Sequence, residues 1–216
     1  TLTQNRLEVA SVTDLGGAPR LSEVGGGVVL YDLPLVDVVL PTASLGEGLW
    51  LENLPYLASV SAPALTRMGG GLWFQRVAST SGTFTVDWGV EVPGTLGLVE
   101  LPAGASGGWA LPDTIGSLGV SETSLADLGG LVDLRVVERD LVVADNAALT
   151  DLSALDGLTT VGGDLTISDN DGLTDWSGFA GLETVGGRLR LVGDGPTDAS
   201  GFAALTSLGD GLSLTS

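Results

Sequence analysis

One phrase of about two dozen residues recurs along this chain, and it restricts the fold more than any other feature of the sequence. Residues 149–170 read LTDLSALDGLTTVGGDLTISDN, and residues 173–194 read LTDWSGFAGLETVGGRLRLVGD, an offset of 24. A third copy, PTDASGFAALTSLGDGLSL, runs from Pro196 to Leu214, and Val12 to Gly26 reads VTDLGGAPRLSEVGG. In each copy a short apolar-x-apolar strand goes with a glycine-rich turn. The central residues of these strands are Glu8, Val29, Trp50, Trp73, Gly97, Gly119, Val142, Thr166, Arg190 and Ser213, spaced 21 to 24 residues apart.

Side chains alternate along a strand, so Leu165 and Ile167 face inward while Thr166 faces out. A single coil cannot bury its inward row. The next coil, stacked at about 4.8 Å, covers that row and pairs the backbone. Coils wound one way pair in parallel, and the right-handed sense is strongly favoured. The expectation is therefore an all-β, right-handed parallel β-solenoid (β-helix) of about ten coils, 21–24 residues per coil, with little helix. It is read as a single domain over 1–216. Residues 79–127 keep the period better than the motif, and form irregular, loop-rich coils or a boundary between two subdomains. Glycine pairs before the strands (Gly25-Gly26, Gly69-Gly70, Gly162-Gly163, Gly186-Gly187) would allow positive φ at a corner. Asp32, Asn53, Asn146 and Asn170 fall at the corner after the strand, where their side chains would bond the backbone of neighbouring coils.

The phrase VGGDLTISDN followed by GLTD resembles the receptor L-domain repeat, a leucine-rich-repeat-like right-handed β-helix of growth-factor receptor ectodomains. Related repeats occur in fungal cell-wall and bacterial surface proteins. The likeness is specific over 140–216 and fair over 5–76. This chain departs from the receptors in having no cysteine, as a bacterial type would, and from ordinary leucine-rich repeats in its spacing. The resemblance implies an extracellular or cell-surface role in recognition, adhesion or wall structure. It carries over no catalytic residue.

Composition narrows the function classes. The 27 acidic residues face only eight basic ones, all of them Arg, for a net charge of −19. Such a chain is repelled by nucleic acid and by anionic lipid. No apolar stretch reaches the length of a membrane span, so no membrane insertion is expected. Without His or Cys, neither a Ser-His-Asp nor a Cys-His nucleophile exists, nor a common zinc site. A carboxylate pair, as in polysaccharide-cleaving β-helices, is the one catalytic device left. Yet the acids recur at repeat positions, with Asp14, Asp151, Asp175 and Asp198 at one corner and Asp145 and Asp169 at another. A catalytic pair would be a singular cluster, so no enzyme activity is expected.

Two candidate sites follow. Trp50 and Trp73 hold the outward position of consecutive strands, and Tyr31 follows Val29 by two residues on the same face. Two adjacent indoles side by side suit a protein or glycan surface ligand, unless the loop around Phe84 and Trp88 covers them. Asp151, Asp175 and Asp198 would stack about 4.8 Å apart if coils are in register, where calcium could bridge them. No other cofactor is expected. Neither end shows an evident cap, so end-to-end self-association, as in a structural wall or filament element, is the alternative to a recognition module.

Overall fold

The computed structural model of the chain describes residues 2–3, 6–9, 23–77, 85–87, 92–103, 109–193 and 200–215. Its strands form a parallel β-solenoid. One ladder runs its length: Arg6–Val9, Val28–Tyr31, Leu49–Leu54, Leu72–Val77, Val92–Val99, Thr114–Ser121, Leu141–Ala144, Leu165–Ser168, Arg188–Val192 and Gly211–Thr215. Each strand pairs in parallel with the next, and the register aligns all ten predicted centres, from Glu8 against Val29 to Arg190 against Ser213. The ladder crosses the irregular region without a break, pairing Trp73 with Gly97, Gly97 with Gly119, and Gly119 with Val142. The solenoid makes about seven turns, fewer than the ten coils expected.

The reason for the register lies in the two inward rows. Val28, Leu49, Leu72, Leu96, Leu118, Leu141, Leu165 and Leu189 form one, and Leu30, Leu51, Phe74, Leu98, Val120, Val143, Ile167 and Leu191 the other; all are buried. A slip of one residue would turn both rows to solvent. The same rows continue to Leu212 and Leu214, which stand 56% and 60% exposed.

Two further sides close each turn. Short strands such as Glu23–Val24, Ser44–Leu45 and Arg67–Met68 line the side before the ladder, and Val136–Val137, Thr160–Val161, Thr184–Val185 and Ser207–Leu208 continue it. The side after the ladder changes character. Up to Ala110 it is a parallel sheet of Asp37–Val39, Ser59–Ser61, Thr85–Asp87 and Trp109–Ala110. From Gly129 on it is a column of 3₁₀ turns: Gly129–Leu131, Ser153–Leu155, Ser177–Phe179 and Ser200–Phe202. Leu131, Leu155, Phe179 and Phe202 bury beneath them, and the Phe179 and Phe202 rings stack at 5.3 Å.

Three local expectations need correction. The glycine pairs do not supply positive φ; among the described residues the only glycine with positive φ is Gly193. From Gly69 on they sit where coils touch, whereas a Cβ at Gly25 would meet nothing within 4 Å. A Cβ at Gly162 would lie 2.1 Å from the Glu138 carbonyl oxygen, and one at Gly186 would lie 2.1 Å from that of Gly162. Left-handed backbone occurs instead three residues past the strand centre, at Asp32, Asn53, Arg76, Glu100, Glu122, Asp145 and Asp169. Second, Asn146 and Asn170 are not at this corner position but one residue further on, pointing into the core. Third, the N-terminal edge is not bare. Leu2–Thr3 lies antiparallel on Arg6–Val9, pairing Leu2 with Leu7.

Candidate functional site

Alternation along the ladder strands leaves an outward face made of three columns. Its central column is Val29, Trp50, Trp73, Gly97, Gly119, Val142, Thr166, Arg190 and Ser213. Trp50 and Trp73 are direct neighbours in register, both half-buried, and each is flanked along its strand by fully buried inward residues. Tyr31 lies in the adjacent column, level with Glu52, and is also half-buried. The structure thus brings the three predicted residues onto one face.

The two indoles do not stack on each other in the simple side-by-side manner expected. A Cβ added at Gly27 would lie 2.3 Å from Cζ3 of Trp50, and one added at Gly97 would lie 2.0 Å from Cε3 of Trp73. Trp50 therefore leans toward the preceding coil and Trp73 toward the following one. The missing side chain at Gly97 is what lets the Trp73 ring lie down on the sheet, so the motif fails at Gly97 for a packing reason. Gly119 is different: an added Cβ meets nothing within 4 Å. Together these residues form a strip, aromatic at one end and followed by glycine at Gly97 and Gly119. Phe84 and Trp88 lie outside the described residues.

The acidic column serves the backbone. Oδ1 of Asp151 accepts the Ser153 N–H at 2.7 Å, and Oδ1 of Asp175 accepts that of Ser177 at 2.9 Å. Asp127 repeats the bond to Gly129 at 2.8 Å. These are Asx turns that open the 3₁₀ segments. Asp198 lies outside the described residues. Among the described residues no group of three acidic side chains is placed to hold a metal ion.

One residue past the left-handed corner lies a buried polar network that spacing alone does not separate from it. Asn146 Oδ1 accepts the Thr123 N–H at 2.9 Å and the Thr123 hydroxyl at 2.8 Å, and its Nδ2 donates to Val120 O, Ala144 O and Asn170 Oδ1. Asn170 Nδ2 donates to Val143 O and Ser168 O. Each amide joins successive coils and is satisfied, as burial requires.

No family model, curated protein or solved structure matches this chain.

Proposed function

We propose that the chain is a non-catalytic recognition or adhesion module of the cell surface or extracellular space, with a receptor L-domain-like repeat, and that it presents the outward face of its main ladder to a protein or glycan ligand. The observation that carries this is the register pairing of Trp50 with Trp73, with Tyr31 beside them, on one outward face. Half-exposed aromatic clusters of this kind are frequent anchors of binding surfaces. The acidic residues support a non-catalytic reading, because those at the repeat corners bond the backbone rather than face each other across a cleft.

The test is a screen of the intact chain against glycans and surface proteins, with and without calcium. A ligand found in this way should lose at least about thirtyfold in affinity when Trp50 and Trp73 are both changed to Ala, the loss typical of a hot spot. Binding that ignores the double substitution contradicts the proposal.

A second reading, a structural wall or filament element joined end to end, draws on the exposed Leu212 and Leu214 of the last described strand. Under it, sedimentation should show association that grows with salt, as screening relieves the −19 charge, and that disappears with Leu212→Asp and Leu214→Asp.

A further inference from the structure

The outward face carries charge of both signs. Corner acids Asp32, Glu122, Asp145 and Asp169 are exposed along one rim. On the face itself the acids are engaged. Glu52 pairs with Arg76; Asp140 Oδ1 accepts the Asp164 N–H at 2.9 Å, and Asp164 Oδ1 accepts that of Arg188 at 2.7 Å. Arg76 is neutralised by Glu52 and Glu100, but the arginines further along the face are not. Arg188 and Arg190 are both exposed on one strand, two residues apart and so on the same side, and neither forms an ion pair among the described residues. Arg190 stands in the same column as Trp50 and Trp73. Between them Arg139 lies against the face, its Nη2 donating to Pro93 O at 3.0 Å and its Nε to Ser117 Oγ at 3.3 Å. Among the described residues Arg139, Arg188 and Arg190 therefore stand without a carboxylate partner on the surface that also carries the indoles.

We infer that this face takes a linear glycan bearing carboxylates, laid lengthwise across the coils. The inference rests on the recognition role proposed above. Indoles at one end offer flat apolar surface to sugar rings. Guanidinium forks at the other end match carboxylates in a bidentate manner that a neutral polymer cannot use. From Trp73 to Arg190 is five strand steps, about 24 Å at the usual strand spacing, enough for several sugar rings. The stretch between holds Gly97, Gly119, Val142 and Thr166. It offers a ribbon-like polymer a floor, and offers a peptide no pockets for its side chains. The net charge of −19 opposes any anion at long range, but at physiological salt its reach falls to about 8 Å.

The experiment is calorimetric titration of the intact chain with an oligouronate of several units and with the same oligomer after reduction of its carboxyl groups. It is run at physiological salt with chelator, so that no divalent cation bridges uronate to the acidic rim. The charged oligomer should bind at least tenfold tighter than the reduced one. Arg188→Ser with Arg190→Ser should erase that preference and leave the weaker, neutral binding, while Trp50→Ala with Trp73→Ala should weaken both. Equal binding of the two oligomers, or a preference that survives the arginine substitutions, overturns the inference. If neither oligomer binds while a protein ligand does so through the indoles, the glycan inference fails and the recognition role stands. If no ligand of either class depends on the indoles, both fail.

Discussion

The first and second halves of this solenoid share one ladder but close their turns by different chemistry. At the inward corner after the ladder, the first half places Leu33, Leu54, Val77 and Leu101, all buried. The second half places Thr123, Asn146 and Asn170 at the same step of the repeat. On the next side the first half pairs strands, and the second half substitutes 3₁₀ turns opened by Asp127, Asp151 and Asp175. Strand pairing satisfies the backbone of the return directly. A 3₁₀ turn leaves more groups over, and the Asn and Asp side chains take them up. Polar corners and 3₁₀ sides therefore belong together, as apolar corners and paired sides do.

The strongest way to break this comparison is to move a corner across it. Asn146→Leu gives the second half the corner of the first, but strands Thr123 and the carbonyls of Val120 and Ala144. Each buried unsatisfied group costs about 1–3 kcal/mol, so a loss of about 4 kcal/mol is expected in urea unfolding. A loss below about 1 kcal/mol would show the network to be dispensable.

A smaller effect separates two glycines of one column. Gly97→Ala drives a methyl into the Trp73 ring and should cost about 2 kcal/mol, within the usual range for overpacking, with a shift in tryptophan fluorescence. Gly119→Ala meets open space and should stay within about 0.5 kcal/mol of the parent. Equal effects at the two sites would contradict the placement of the indole.

Next comes the Asx turn. Asp175→Ala should lower stability by about 1 kcal/mol, the net worth of a typical hydrogen bond, and chelator should leave the melting temperature of the parent chain unchanged. A fall on chelation would instead support a calcium ion at the acidic column.

The smallest effect is a gain. Glu122 adopts φ 56° without the local hydrogen bonding that makes Asn tolerant of that region. Glu122→Asn should raise stability by up to about 1 kcal/mol, read as a rise in melting temperature. Arg76→Asn should show no such gain, because Arg76 pairs with Glu52 and Glu100 across three coils.

The ladder was legible because its signal is doubled: inward rows of Leu and Val repeat on either side of each centre, and a one-residue error would expose both. Trp50 and Trp73 inherited their placement from that register. The other two sides were not legible, since strands of two or three residues and 3₁₀ turns carry too few positions to show a period. The aspartates were read as a charged column because sequence shows spacing between coils but not the bond each makes within its own turn, two residues on. Asn146 and Asn170 were merged with the left-handed corner because one residue separates Asp145 from Asn146, and only φ and burial tell the two apart. Leu2–Thr3 was missed as an edge cover because two residues paired antiparallel leave no repeat.

Everything proposed for the face depends on one uninterrupted ladder placing Trp73 and Arg190 in a single column, and the junction between the halves, where Gly119 meets Val142, is its decisive step. The chain has no cysteine, so paired substitutions report register without interference. Strand neighbours about 4.8 Å apart fall within disulfide range. Gly119→Cys with Val142→Cys should oxidise readily to an intramolecular disulfide, and Gly119→Cys with the inward-facing Val143→Cys should not. Efficient closure of the second pair and failure of the first would contradict the ladder, and with it the single face.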